Sequence, residues 1–311
     1  MKRFFKLLLP VLVVVTSCRK EIEIDFPVME RKPVINCLFS SEYPLMTHVG
    51  LTKSPTDTST YLIENANISV FGNDGTHTVL PYIGEGYYSA NSFLPQKGVI
   101  YSMEVDIPGF KRITASGSIP VSESAILSIQ SKSGFKTEPV TGTGEDPTIP
   151  VQNLEIRVKD DIKVEDFYGI SIVQTSVVNR NGTIVEKPGK YSPGYYWGSD
   201  DPIIVGEGLE YYNPFLFMFR DIAFSSQTEK VELYVSKDIK SAYWIRFFHF
   251  SPESFQYVKS WFIHDYTQDY DFWEVYEPQP LYSNIENGYG IFAGYSMQLY
   301  EVYPDSTLTF E

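Results

Sequence analysis

Short runs of strand-forming residues recur about every 8 to 12 residues between residues 30 and 120, and this spacing constrains the fold more than any other feature. Tyr101, Met103 and Val105 alternate with polar residues, which predicts a strand with one buried face. Residues 72–75, Gly-Asn-Asp-Gly, separate two runs and predict a hairpin turn, because glycine and asparagine tolerate positive φ. The pattern predicts an antiparallel β-sandwich over residues 30–120.

The rest of the chain, residues 121–311, predicts a second β-rich domain. The chain has 23 Tyr and 21 Phe, and such aromatic residues favour the pleated surface of a sheet. Residues 133–150 and 179–208 are rich in turn-forming residues, so they are predicted to be irregular. Strand patterns of this half, of which the last two are the clearest, are Val151–Val158, Tyr168–Val178, Phe215–Phe219, Lys230–Val235 and Ala242–Phe250.

One main α-helix is predicted, over residues 252–268. Ser251 is a favourable N-cap, and Pro252 suits the first helical position because its missing N–H has no partner there. Glu253 adds the acidic residue typical of a first turn. We expect the helix to pack on a sheet through an apolar stripe formed by Phe255, Val258, Phe262 and Tyr266.

The first residues predict export from the cytoplasm. Lys2, Arg3 and Lys6 precede a short apolar run at residues 7–15, an arrangement that predicts a secretory signal peptide over residues 1–17. The run is too short for the hydrocarbon core of a bilayer, which needs about 20 residues. We therefore expect this segment to be removed rather than retained as a membrane helix.

The two cysteines have different predicted roles. Residues 15–18, Val-Thr-Ser-Cys, resemble a bacterial lipobox, which predicts that Cys18 is acylated; the alternative is an ordinary signal peptide with an incidental cysteine. Residues 18–29 are charged and predict a lipidated tether between the bilayer and the folded chain. Cys37 lies in an apolar run and is predicted to be a small buried hydrophobe.

Charge and motifs exclude several classes of function. The formal charge of −14 repels phosphate backbones, so nucleic-acid binding is not expected. The sequence has no Gly-rich phosphate loop, no G-x-S-x-G elbow and no H-x-x-x-H pair. We therefore predict no cofactor and no catalytic residue.

Acidic residues form three local groups. Oxygen-rich groups bind Ca²⁺, but the spacing of the largest group is not that of an EF-hand, so a solvated charged surface is the better interpretation and no metal is predicted. Adjacent carboxylates on a strand point to opposite faces, so a neighbouring pair does not by itself form a catalytic dyad. The largest group is Asp265, Asp269, Asp271 and Glu274 beside His264, and the pairs are Asp160-Asp161 and Asp200-Asp201.

An aromatic run in a Pro- and Gly-rich segment is the predicted binding element. It consists of Tyr195, Tyr196 and Trp197. Exposed Tyr and Trp offer a rigid apolar face with a polar group, which suits stacking on sugars or contact with a protein partner. The alternative is that these aromatic side chains belong to the core.

Four segments carry a resemblance to a known family. They are PVINCLFSSEYP, IENANISVFGNDG, GYYSANSFLPQKGVIYSMEVDIPGFKRITASGSIP and, most specifically, LYSNIENGYGIFAGYS at residues 281–296. Together with the lipobox they resemble the Bacteroidota lipoproteins grouped as domain of unknown function 4249. Cys37 departs from that family, in which a glycine is expected at this position. Part of the third segment also resembles the last strands of an immunoglobulin-like or carboxypeptidase-regulatory-like sandwich.

The most specific segment can also be interpreted physically. Asn287-Gly288 predicts a turn, and Gly290 and Gly294 flank an apolar strand core. Glycines in a strand are typical of positions where another backbone comes close. We therefore favour a structural role for this segment over a ligand-binding loop.

The resemblance implies a surface-exposed lipoprotein of the outer membrane with no established activity. It implies a noncatalytic binding or accessory role, with a TonB-dependent outer-membrane transporter as partner in nutrient uptake. One alternative is a surface hydrolase of glycans or peptides with a site around His264, Asp265 and Trp197. Another is an adhesin or envelope-structure module.

Overall fold

The computed structural model confirms that the chain is mainly β. The signal peptide, Cys18 and the tether lie outside the residues that it describes, and so do Tyr195 and Tyr196. The described residues are 30–54, 57, 59–121, 125–137, 148–160, 164–180, 183–188, 197–209, 216–236, 242–268, 277 and 279–310.

These residues form eighteen strands and two α-helices. The helices are α1 (Pro202–Val205) and α2 (Pro252–Gln268). The strands are β1 (Pro33–Phe39), β2 (Met46–Leu51), β3 (Asn67–Gly72), β4 (His77–Val79), β5 (Tyr82–Gly84), β6 (Tyr87–Ser89), β7 (Ile100–Asp106), β8 (Ile113–Ser118), β9 (Ala125–Thr137), β10 (Thr148–Lys159), β11 (Phe167–Arg180), β12 (Thr183–Pro188), β13 (Trp197–Gly198), β14 (Phe217–Arg220), β15 (Thr228–Ser236), β16 (Tyr243–Phe250), β17 (Tyr289–Val302) and β18 (Thr307–Thr309).

The strands form three sheets. The largest has the order β12-β11-β16-β17-β1-β2-β6-β5, with β14 also paired to β11. A five-stranded sheet has the order β13-β15-β10-β9-β18, and a four-stranded sheet has the order β4-β3-β7-β8. Every strand pair between these elements is antiparallel except β1 with β17.

One hydrophobic core lies between the four-stranded sheet and the β1-β2-β6 part of the largest sheet. Tyr101, Met103 and Val105 are all buried, which confirms the alternation predicted for β7. The predicted hairpin joins β3 to β4, and Gly75 adopts a φ of +89° there. The core residues include Ile35, Val49, Ile68, Val70, Ile113 and, from the far end of the chain, Ile285 and Phe292.

Cys37 points into this first core. It is 1% exposed in the middle of β1, which confirms the predicted buried hydrophobe. Burial raises the pKa of its thiol well above the ordinary range, so the thiolate is not formed at physiological pH. The strand is continuous at this residue, so its backbone does not need the conformational freedom of a glycine.

A second core lies between the five-stranded sheet and the inner face of β11 and β16. It includes Ile129, Leu154, Tyr168, Ile172, Val231, Tyr243 and Ile245. Helix α2 covers the opposite face of β11 and β16, where Phe255 and Phe262 pack beside Phe167 and Phe250. The predicted bounds and N-cap of this helix are confirmed, because the Ser254 amide donates to the Ser251 hydroxyl over 3.2 Å.

The structure corrects parts of the two segments predicted to be irregular, while residues 138–147, 181–182 and 189–196 of these segments lie outside the described residues. Strand β9 continues through Thr137, and β10 begins at Thr148. The prediction was wrong for these residues because the outward polar side chains of a sheet resemble the composition of a loop. Residues 183–188 form β12. Helix α1 has Asp201 as its N-cap, whose side chain accepts a hydrogen bond from the Ile203 amide over 3.0 Å. The cap followed by proline is the same signal that predicted α2.

Glycines let β17 lie between β1 and β8. Gly290 has a φ of +112°, and a Cβ there would collide with the carbonyl oxygen of Ile35 in β1. A Cβ on Gly294 would collide with the backbone of Ser118, and one on Gly117 would lie 2.5 Å from the carbonyl oxygen of Phe292. The close backbone approach predicted for Gly290 and Gly294 is thus confirmed.

Replacing Gly290 with alanine is expected to destabilise the fold by about 3 kcal/mol, because the added Cβ meets the Ile35 backbone and the φ is unfavourable. Urea denaturation followed by tryptophan fluorescence measures the change. Gly109→Ala is the matched control, since its φ is +87° but no atom lies near the added Cβ, and it should lose about 1 kcal/mol. Equal losses in the two variants would contradict the close approach of β17 to β1.

A buried carboxylate fastens α2 to the sheet. The Glu207 side chain is 6% exposed, and it accepts hydrogen bonds from Arg220 Nε of β14 and Lys259 Nζ of α2, each over 2.7 Å. Burial alone would raise the pKa of Glu207, but the two cationic donors outweigh burial and lower it. The carboxylate therefore stays charged at neutral pH.

The Glu207→Gln variant is expected to lose about 2 kcal/mol of stability at pH 7, because two charge-assisted hydrogen bonds weaken. A lowered folded-state pKa contributes stability that is full above the unfolded pKa of about 4.3 and is lost as the pH falls through the folded value. The difference from wild type should therefore shrink in acid, as measured by urea denaturation from pH 7 to pH 3.

Glu165→Gln is the control for that measurement. Its carboxylate lies 3.9 Å from the same Arg220 but is 54% exposed, so the loss should stay below about 0.5 kcal/mol. A difference between Glu207→Gln and wild type that grows in acid would contradict the lowered pKa.

Candidate ligand-binding groove

A groove lies on the outer face of the five-stranded sheet. Its floor comes from β9, β10 and β15, where every second side chain points away from the core. The strand register aligns these side chains in two rows, Gln130 with Glu155 and Glu232, and Lys132 with Asn153 and Tyr234. The cavity above them is about 480 Å³, a size ordinary for a small-ligand site.

One wall of the groove is the segment that leads into α1. The Ser199 hydroxyl donates to the Glu232 carbonyl over 2.6 Å, and the Glu232 amide donates to Asp201 Oδ2 over 2.8 Å. Because Asp201 also caps α1, the wall, the helix and the floor strand β15 are fixed to one another. The groove therefore has a pre-formed shape.

The far end of the groove is closed by a cation. Lys136 donates to the carboxylate of Asp200, and its Nζ lies 4.2 Å from the centroid of the Tyr234 ring. Such a cation–π contact holds the side chain across the gap between β9 and the wall. The pair Asp200-Asp201 precedes a helix rather than lying on a strand, and its two members have separate partners.

On the floor, like charges face each other across neighbouring strands, and opposite charges alternate along each strand. Glu155 lies directly opposite Glu232, and Arg157 lies directly opposite Lys230. Arg157 Nε lies 3.1 Å from Glu155, and Lys230 Nζ lies 2.9 Å from Glu232. The hydrogen bond to Glu232 raises the pKa of Lys230. Like charges directly opposite each other destabilise an antiparallel pair. This arrangement places two carboxylates side by side in the groove.

A buried polar network lies beneath β16 and outside the groove. The Tyr168 hydroxyl lies 2.5 Å from Asp160 Oδ1 and 3.2 Å from Asp166 Oδ2, and His249 Nε2 lies 2.9 Å from Asp166 Oδ1. All four residues are buried, with at most 6% of each residue exposed. Burial raises the pKa of the neighbouring Asp221, and repulsion from Asp160 and Asp166 adds to it. An enclosed set of this kind fits a structural role.

Tyr168→Phe is expected to destabilise the protein by about 2 kcal/mol, because the buried Asp160 carboxylate loses its hydroxyl donor. Thermal and urea unfolding measure the loss. Tyr43→Phe serves as the control, since this tyrosine is 60% exposed. Removal of its hydroxyl should lower the free energy of unfolding by less than about 0.5 kcal/mol. Wild-type stability in Tyr168→Phe would show that the network contributes nothing to the fold.

The structure brings one predicted binding residue near the groove. The backbone of Trp197 pairs with Val235 in the short strand β13, at the edge of the five-stranded sheet. The next residue, Gly198, lies against the Tyr234 ring of the groove, where a Cβ would overlap the ring. Tyr195 and Tyr196 precede it outside the described residues.

The residues considered for a hydrolase are not brought together. His264 and Asp265 lie on α2, on the opposite side of the largest sheet from the five-stranded sheet that contains the Trp197 backbone. His264 Nδ1 lies 2.6 Å from the Gln279 carbonyl oxygen. Of the acidic group near the end of this helix, only Asp265 belongs to the described residues.

Two features are absent from the described part of the chain. No cluster of three or more His, Cys, Asp or Glu side chains there has an arrangement suited to a metal ion. No helix there combines the length and apolar character needed to cross a bilayer.

Sequence comparison identifies the family. The model of the domain of unknown function (DUF4249) matches residues 19–300, so the chain belongs to this family. Membership of this family, predicted from the sequence, is thereby confirmed. No curated protein matches the chain.

Proposed function

We propose that this protein is a surface-exposed lipoprotein of a Bacteroidota outer membrane that acts as a noncatalytic binding or accessory component. Acylation of Cys18 would anchor it, and residues 18–29 would hold the folded part away from the bilayer. The observation that carries the binding role is the pre-formed groove of about 480 Å³. Hydrogen bonds fix the wall before α1 to the floor without a ligand, which lowers the entropic cost of binding.

The proposed architecture has two units. Residues 30–120 would form an immunoglobulin-like or carboxypeptidase-regulatory-like sandwich, a proposal supported by the two sheets that face each other across the first core. Residues 121–311 would form the second β-rich unit, supported by its own core and by the groove. Strand β17 would join the units, since Phe292 packs in the first core and Val302 in the second.

The proposed partner is a TonB-dependent outer-membrane transporter in nutrient uptake. This part of the proposal is supported by the N-terminal address and by family membership.

Anchoring is tested by Cys18→Ser, which should move the protein from the membrane fraction to a soluble or signal-uncleaved form, because acylation requires the cysteine. Protease added to intact cells should degrade the wild-type protein. Cys37→Ser is the control, since that thiol is buried and its replacement should leave the membrane fraction unchanged. Equal membrane recovery of mature protein from both variants would exclude the lipid anchor.

The partner is tested separately by purifying the tagged wild-type protein from detergent-solubilised membranes. A TonB-dependent transporter is expected to copurify. Recovery without any transporter over several growth conditions would count against the accessory role. A cell-binding defect on deletion without any nutrient phenotype would favour an adhesin instead.

A further inference from the structure

We infer that the groove on the five-stranded sheet binds a short oligosaccharide through the hydroxyl groups of its pyranose rings. This inference rests on the proposed binding role and adds the chemical class of the ligand. It is argued from the hydrogen-bonding groups of the floor, the paired state of its strands and the apolar surface at the wall.

The floor offers acceptors and donors at short spacing. Glu155 and Glu232 are neighbouring acceptors, while Lys132 is a donor in the adjacent row, and Asn153 supplies both kinds of group. A sugar hydroxyl donates one hydrogen bond and accepts others, so neighbouring hydroxyls can satisfy a carboxylate and an ammonium together. Bonds to these charged groups are the stronger class of hydrogen bond.

The middle strand of the floor offers side chains rather than backbone to a ligand. Strand β10 pairs with β9 along one edge and with β15 along the other. Peptides that bind sheets usually add a strand to an open edge, and β10 has none. A ligand that lies over β10 is therefore recognised through side chains.

The groove also offers apolar surface beside these polar groups. Pro202 and the aliphatic stem of Lys136 line it, together with Tyr234. A pyranose ring has C–H groups on its faces and hydroxyls around its rim, so it matches apolar surface flanked by polar groups. Nucleic acid is disfavoured because carboxylates outnumber ammonium groups in the lining, with Glu155, Glu232, Asp200 and Asp201 facing Lys132 and Lys136.

The arrangement of charged side chains on the floor also supports an oligosaccharide as the ligand. Glu155 and Glu232 each have a cationic partner on their own strand, Arg157 and Lys230. These cations lie one row beyond the carboxylates and do not line the groove. Both carboxylates line the cavity.

The experiment uses the purified protein on an array of plant, host and bacterial-surface glycans. A lysine-rich peptide and a double-stranded DNA are included as competing probes. Binding to at least one class of glycan is expected, and the best-bound oligosaccharide is then titrated calorimetrically. Glu155→Gln and Glu232→Gln should each weaken it about tenfold, because a charged acceptor is replaced by a neutral amide.

Glu104→Gln is the matched control. Like Glu155, Glu104 is a strand glutamate paired with an arginine, at 3.0 Å from Arg112, but it lies on the four-stranded sheet. It should bind the oligosaccharide as wild type does. Unfolding curves of all variants confirm that each is folded before binding is compared.

Three results would overturn the inference. They are the absence of glycan binding on the array, tighter binding of the lysine-rich peptide than of any glycan, and equal weakening by Glu104→Gln and Glu155→Gln. None of these results affects copurification with a transporter. Failure of the ligand class is therefore distinguishable from failure of the accessory role.

Discussion

The parallel pairing of β1 with β17 is the contact on which the rest of the molecule depends. It joins the two parts of the largest sheet and carries Phe292 into the first core and Val302 into the second. The pairing is possible because Gly290 and Gly294 leave room for neighbouring backbones. The absence of a side chain at these two positions therefore allows β17 to contribute to both cores.

Local signals in the sequence were sufficient to predict individual elements. The N-cap at Ser251 fixed the start of α2, and the glycines at residues 72–75 fixed the hairpin of β3 and β4. These features depend on residues that are close in sequence. The polar ends of β9 and β10 were wrongly predicted to be a loop, because these residues lack the alternation of polar and apolar residues that indicates a strand.

The groove was not predictable in the same way. Its floor takes side chains from three strands, and the sequence does not specify that Glu155 faces Glu232 across β10 and β15. The role of Asp201 depends equally on a distant amide, that of Glu232. Trp197 and the pair Asp200-Asp201 were singled out in advance near this site, and they were identified by residue type rather than by register.

The separation of β1 from β17 also affects how the chain folds. Ile35 and Gly290 are paired although about 250 residues lie between them, and closing a contact of such range is slow. The first core lacks Phe292 until β17 has joined it, so the N-terminal strands do not complete this core by themselves. Until then one edge of β1 is open, and an open strand edge is prone to pairing with other chains.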